Sequence, residues 1–196
     1  MAYRFSRLIL LALLKLFFGF KVQGREFIPK RGGFILAANH VSYLDPIAVG
    51  AACPRNVHFM AKDSLFNHAF LNGWLKAVGV IPVKRNSADT SAIKTALRLV
   101  YSGQSLGLFP EGTRRTEVDM YLNPEPGVGF LAAKGKVPVI PVFVSGTFKA
   151  MPRQAHSLRL ARISVRFGKE IHIERGKPYQ EISDLIMASI KQLKND

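Results

Sequence analysis

Apolar residues recur along this chain with two periods, two and about 3.6, and the changes between them outline its elements. The stretch YRFSRLILLALLKLFFGF (3–20) is apolar on nearly every side and is interrupted by Lys15. GGFILAAN (32–39) is a continuous apolar run after a Pro29–Gly33 turn and reads as a buried strand. DPIAVGAAC (45–53) reads as a short helix with Pro46 in its first turn. NVHFMAK (56–62) alternates like a strand. DSLFNHAFLNGWLKAVG (63–79) reads as one helix, capped by Asp63 or Ser64 and stopped by Gly79. Its Phe66, Phe70, Leu71, Trp74, Leu75 and Val78 would form one wide apolar face, for the core or for a membrane.

The alternation continues to the end. GVIPVKR (79–85) is a short strand and loop, and NSADTSAIKTALRLVYSG (86–103) is an amphipathic helix ended by Gly103, with Ile93, Ala96, Leu97 and Val100 on one side. SLGLFP (105–110) is a strand and PGVGFLAAKGK (126–136) a short helix. VPVIPVFVSG (137–146) is a strand whose Pro138 and Pro141 suggest an edge or a bulge. RISVRFGKEIHI (162–173) supplies one or two strands. YQEISDLIMASIKQL (179–193) is a final helix with Ile182, Leu185, Ile186, Ser189 and Leu193 inward. Strands alternating with helices define an α/β domain with a mixed, mainly buried central sheet flanked by helices.

Composition adds a partner to that outline. The 196 residues, 48% apolar, suffice for one domain with a real core. Cys53 is the single cysteine, so an internal disulfide is excluded. The net charge of +15 calls for nucleic acid, an anionic membrane surface or anionic small substrates. Lys and Arg are scattered singly and in pairs among apolar stretches rather than in runs, and no nucleic-acid motif is present, which favours a membrane surface or phosphate ligands over nucleic acid.

The amino-terminal stretch agrees with a membrane. As a helix, residues 8–20 would span about 20 Å, short of the ~30 Å hydrocarbon core. Arg4, Arg7 and Lys15 fall on one stripe of the amino-terminal helix, and nearly everything else on it is apolar. A secretory signal or an ordinary buried helix would share these features, but no A-x-A cleavage site follows and Lys15 interrupts the apolar region. The pattern favours residues 1–22 as a helix lying in the membrane interface, its basic stripe toward lipid phosphates, followed by the α/β domain over 23–196. A second membrane segment is not expected, and attachment would be monotopic, on the cytoplasmic face.

Two His–Asp pairs share one spacing: His40 with Asp45, and His58 with Asp63. Context separates them. His58 sits inside an alternating strand and Asp63 at a helix start, where each has a structural use. His40 follows a buried strand at its carboxyl end, where open α/β sheets place their sites. Asp45 could be only an N-cap, or Val41–Leu44 could turn so as to return its carboxylate to the ring. A His–Asp pair without an evident nucleophile suits deprotonation of a substrate hydroxyl that attacks an acyl carbonyl. Ser42 reads as a turn residue and Cys53 as a small core residue, with a covalent role left open.

LFPEGTRR (108–115) delivers a Pro-Glu-Gly turn and two arginines from the end of a strand. Gly112 would let backbone N–H groups approach a ligand, and Arg114 and Arg115 offer forks suited to phosphate. Glu111 could accept from a substrate hydroxyl or orient an arginine. Lys84 and Arg85 read as phosphate contacts or solvated charges. A charged surface hairpin would look similar.

NHVSYLD, GVIPVKR, FPEGTRR and VPVIPV occur in the order and approximate spacing of the four blocks of the glycerolipid acyltransferase family, which the chain resembles over Asn39–Val142. The resemblance implies a glycerol-3-phosphate acyltransferase-like fold, His40 as general base and Asp45 as its partner. It implies that Arg85, Glu111, Gly112, Thr113 and Arg114 help bind glycerol phosphate, and that Pro141 shapes the acyl-donor side. The acceptor would be lysophosphatidic acid in the membrane, and the product phosphatidic acid. The co-substrate would be an acyl-CoA or acyl-carrier-protein thioester, with no other cofactor and no metal. Lys84, in place of a smaller polar or acidic residue, and Arg115, where serine is common, leave the acceptor open. Rival readings are the same chemistry on a lyso-ornithine lipid or another lysophospholipid, and a non-catalytic basic module for anionic membranes.

Overall fold

A computed structural model describes residues 2–84, 89–116, 124–152, 155, 157–174 and 176–195. The chain runs α1 (Ala2–Phe18), β1 (Lys21–Gln23), β2 (Phe34–Ala38), α2 (Leu44–Ala52), β3 (Val57–Lys62), α3 (Ala69–Ala77), β4 (Ile81–Val83) and α4 (Thr90–Tyr101). It continues through β5 (Ser105–Leu108), α5 (Pro126–Gly135), β6 (Val139–Ser145), α6 (Thr147–Ala150), β7 (Ser164–Phe167) and α7 (Tyr179–Asn195). The strands form one sheet in the order β1-β7-β6-β2-β5-β3-β4. β6, β2, β5, β3 and β4 are mutually parallel, β7 is antiparallel to β6, and β1 is parallel to β7, so the sheet is mixed.

β2 lies at the centre, and its unbroken apolar run follows from that position, because a parallel strand covered on both faces needs apolar side chains in both directions. Phe34, Leu36 and Ala38 face one core with Leu14 of α1 and Ala48, Val49 and Ala52 of α2. Ile35 and Ala37 face the other, with Ala96 of α4, Leu131 of α5 and Ile186 of α7. All five β2 residues are buried, so the strand is a fixed stem for whatever follows its carboxyl end.

Local signals place the helices around it. Asp89 caps α4 by accepting from Ala92 N–H at 3.0 Å, and also accepts from Lys84 N–H at 3.0 Å, which ties the helix start to the exit of β4. These backbone bonds hold the Asp89 carboxyl below its usual range. Ala92, Ala96 and Val100 recur every fourth residue and are buried.

Several expectations change in three dimensions. Residues 63–79 do not form one helix: a 3-10 turn over Asp63–Asn67 is separated from α3 by His68, whose backbone is extended at φ −90° and ψ 115°. Asp63 accepts only from the adjacent Ser64 N–H, at 2.8 Å, so it caps no helix. Of the anticipated apolar face, Leu75 and Val78 are buried, while Phe70 is 93% exposed.

Pro141 lies in an interior strand, not at an edge. The bulge alternative holds, because β7 pairs regularly only as far as Val142↔Phe167, and the next bridge is Val139↔Ile171. Opposite Pro141 the pairing is irregular: Gly168 N–H donates to Pro141 O at 2.8 Å, and the proline ring's missing N–H falls where the regular ladder has ended. In α7, Leu185 faces out, and Ser183 and Met187 face in with Ile182, Ile186 and Ile190. Gly129 makes that rotation possible: a Cβ there would stand 1.9 Å from Tyr179 O, and its N–H donates to Ser183 Oγ at 2.9 Å.

α1 is docked along one side. Its Tyr3 hydroxyl accepts from Val57 N–H at 3.0 Å, and Leu14 is buried. Arg7 is not part of a lipid-facing stripe: its guanidinium donates to Cys53 O at 2.6 Å, and Arg25 donates to Ala52 O at 3.0 Å. Both thereby satisfy the carboxyl end of α2, where carbonyls lack helical partners. Arg4 and Lys15 stay exposed, as do Phe5, Leu8, Ile9, Leu13, Leu16 and Phe17. Among the described residues no helix is long and apolar enough to cross a membrane.

Candidate active site

The chain leaves β2 through Asn39, whose side chain continues the ladder in place of a peptide unit. Its Nδ2 donates to Val144 O at 2.9 Å, and its Oδ1 accepts from Val144 N–H at 2.7 Å. His40 follows, and residues 41–44 turn back into α2. Asp45 organises the turn: its Oδ2 accepts from Val41 N–H and Ser42 N–H, each at 2.7 Å, and stands 2.9 Å from His40 Nδ1. These are bonds to upstream backbone, so Asp45 is not the N-cap of α2. With a carboxylate as the partner, Nδ1 carries the proton and Nε2 is left as the basic nitrogen. Asp45 is fully buried, and the His40 side chain keeps 13% exposure.

The third block surrounds His40 on three sides. Phe109 stacks on the imidazole with ring centroids 4.1 Å apart and 21° between planes. Glu111 Oε1 accepts from His40 N–H at 3.0 Å, and Arg115 N–H donates to His40 O at 2.8 Å. Both polar groups of the His40 backbone are thus held by one loop, and the ring is fixed by Asp45 at its edge and Phe109 at its face. Gly112 makes the loop possible with φ +64°, a conformation costly for residues with a Cβ.

Glu111 has 0% exposure and reaches His40, not solvent. Burial pushes its carboxyl up to about 8; the His40 N–H bond and Arg115 oppose this rise, and Asp45 adds to it. At neutral pH it is mainly the neutral acid, which spares the pair a second buried negative charge beside Asp45. Its Oε2 has no hydrogen-bond partner among the described residues. Arg114 lies over Tyr43, with the guanidinium carbon 3.4 Å from the ring centroid, so the two basic residues of the loop diverge. Thr113, just before Arg114, is half-buried.

Lys84 is exposed just beyond β4, three strand positions from β2 along the same carboxyl edge, or ~14 Å at the usual strand spacing. Arg85 lies outside the described residues. Pro141 is not brought to the His40 cluster. It pairs with Ala37, the fourth of the five residues of β2, and borders a groove of about 530 Å³ with Gln23, Phe27, Arg166, Gly168 and Leu193. His58 and Asp63 do not meet: His58 Nδ1 bonds Gly79 O at 2.8 Å. Ser42 Oγ donates to Met151 O at 2.7 Å and accepts from Leu44 N–H at 3.1 Å, a turn role. Cys53 is buried, and burial pushes its thiol up to about 11, which removes the thiolate a nucleophile would need. Sequence reasoning gave no site role to Phe109, Asn39 or Tyr43. The available signal was a large aromatic beside the turn, a buried amide ending an apolar strand, and an aromatic inside the His–Asp turn.

A parallel-centred α/β sheet carries an oriented imidazole at the carboxyl end of its middle strand, the place where open α/β sheets bind their ligands. The Acyltransferase family model matches residues 19–145, and the chain belongs to that family. It is 35% identical over 145 residues to the 1-acyl-sn-glycerol-3-phosphate acyltransferase of Bacillus subtilis, covering 74% of this chain and 71% of that protein. It is 30% identical to the enzyme of the same name from Streptococcus pneumoniae, covering 71% of this chain and 50% of that one. The crystal structure of the 1-acyl-sn-glycerophosphate (LPA) acyltransferase PlsC from Thermotoga maritima shares the fold, with a TM-score of 0.79 at 23% identity, covering all of this chain and 79% of that one.

Proposed function

We propose that this acyltransferase moves a fatty acyl group from an acyl thioester to the sn-2 hydroxyl of 1-acylglycerol-3-phosphate, giving phosphatidic acid. The observation that carries the reading is the 2.9 Å His40–Asp45 contact beside a loop bearing Arg114. The kinship with enzymes named for that acceptor supports it.

In this mechanism donor and acceptor are bound together. His40 Nε2 takes the proton of the sn-2 hydroxyl as its oxygen attacks the thioester carbonyl, and Asp45 stabilises the imidazolium. The tetrahedral intermediate collapses, the C–S bond breaks, and the departing sulfur takes the proton from His40. No acyl-enzyme forms, in keeping with a protonated Cys53 and a Ser42 spent on its turn. Base catalysis of this kind contributes about 10²–10⁴-fold, so positioning must supply most of the remaining acceleration. Arg114, with Lys84 and Arg85 after β4, supplies charge for the acceptor's phosphate monoester. CoA and acyl-carrier-protein thioesters both fit as donors.

The protein works at a bilayer, attached from one side through the exposed face of α1, with Arg4 and Lys15 at its flank. Phe70 lies near the same helix, since the Trp74 indole of α3 donates to Ser6 Oγ of α1 at 3.3 Å. In vesicle flotation, Leu16→Glu should weaken binding at least ~10-fold; unchanged binding would remove α1 as the anchor.

The function itself is tested by thiol release from palmitoyl-CoA in mixed micelles, with the product identified by mass spectrometry. Release that requires lysophosphatidic acid and yields phosphatidic acid supports the reading. Faster release with lyso-ornithine lipid or lysophosphatidylcholine overturns the acceptor assignment.

A further inference from the structure

Within residues 41–45, Val41, Ser42, Leu44 and Asp45 are buried, and Tyr43 alone is turned outward, 46% exposed. An aromatic ring presented to solvent from a turn that holds the catalytic pair needs a reason, because the turn itself is closed by Asp45 and Ser42. The Arg114 guanidinium supplies one, lying 3.4 Å above the centre of that ring. Stacking engages the face of a guanidinium, whereas a phosphate is bound through its edge, where the N–H donors lie in the plane. A ring beneath Arg114 therefore fixes the direction of the fork without competing for the bonds that an oxyanion makes. It also restrains a long side chain before the ligand arrives, which lowers the ordering cost of binding.

We propose that Tyr43 is a positioning residue for the acceptor headgroup: its ring holds the Arg114 guanidinium edge-on to a phosphate monoester delivered beside His40. The proposal rests on the reading that Arg114 meets the acceptor phosphate. The ring, not the hydroxyl, does the positioning, and the pairing links the first block of the sequence to the third. The headgroup site is then registered to the base, because Tyr43 and His40 belong to one turn.

The test is steady-state kinetics of the full chain in mixed micelles with lysophosphatidic acid and palmitoyl-CoA. Tyr43→Leu should raise the acceptor KM about three- to fivefold, the change appearing in KM for lysophosphatidic acid and not in kcat or in KM for the thioester. Tyr43→Phe should restore the wild-type acceptor KM, because the ring face is retained. Arg114→Gln should raise the same KM further, and Tyr43→Leu should add nothing in the Arg114→Gln background. If Arg114→Gln raises KM while Tyr43→Leu leaves it unchanged, the proposal falls and the reading of Arg114 stands. If Arg114→Gln itself has no effect, the reading has failed and takes the proposal with it. A loss confined to kcat in Tyr43→Leu, or a Phe variant as impaired as the Leu variant, also overturns it.

Discussion

His40 and His58 each precede an aspartate by five residues, yet they meet opposite fates. After the carboxyl end of β2, the turn returns Asp45 to the imidazole, and one carboxylate oxygen gathers Val41 N–H, Ser42 N–H and His40 Nδ1. Near the amino end of β3, His58 is drawn instead to Gly79 O, and Asp63, four residues beyond Phe59, sits outside the strand bonding its own neighbour Ser64. Spacing alone does not make a pair. An extended strand carries its residues apart at about 3.3 Å each, whereas a turn brings them back, and only the turn places a buried carboxylate against a ring. Surroundings complete the difference: Glu111, Arg115 and Phe109 converge on His40 from one loop.

Substitutions at both pairs sharpen the contrast. Asp45→Asn should lower kcat about 10²–10⁴-fold, because the amide no longer sets the tautomer or stabilises the imidazolium. Thiol-release kinetics would check it, and a change under about threefold would show that Asp45 does not support the base. Glu111→Gln reads the second layer through pH. The Glu111 carboxyl lies near 8 in the folded protein and near the ordinary glutamate value when unfolded. The folded state thus holds the extra proton between those limits, and this contribution to stability, fully present in acid, is lost as pH rises toward and through 8. Between pH 5 and 9 the wild type should lose about 5 °C or more of Tm relative to Glu111→Gln. Parallel melting curves for the two proteins would refute a buried protonated Glu111.

At the other pair the effects should be small. Asp63→Asn should leave kcat within about twofold, because its carboxylate bonds only Ser64 N–H at the surface. His58→Ala should cost about 1 kcal/mol of stability through the lost bond to Gly79 O, read by urea unfolding, with kcat within about twofold.

What could be read from the sequence follows the range of the interactions involved. The His40–Asp45 turn and the amphipathic, Gly103-ended α4 were legible because their causes lie within a few residues, although the Asp89 cap of α4 was not singled out. The apolar run of β2 announced a covered strand. Other features depend on distant chain. Pro141 reads as an edge signal, yet it sits inside the sheet because residues 168–170 leave the ladder opposite it. Arg7 shares a stripe with Arg4 and Lys15, but only the docking of α1 on α2 decides that Arg7 serves the Cys53 carbonyl. The inward face of α7 is rotated onto Ser183 by the absence of a side chain at Gly129. In the site, the third block reads as a set of substrate contacts, whereas Glu111 and Arg115 also fasten the backbone of His40. A one-dimensional motif does not distinguish a residue that touches substrate from one that holds the residue that does.

His40, and not His58 or Cys53, is expected to remove the proton from the acceptor hydroxyl. The most direct measurement is thiol release from palmitoyl-CoA with lysophosphatidic acid, comparing wild type with His40→Ala and His58→Ala, together with lipid binding by each. Loss of at least ~10²-fold in kcat for His40→Ala alone, with lipid binding retained, is the predicted result. Equal turnover in wild type and His40→Ala would contradict it.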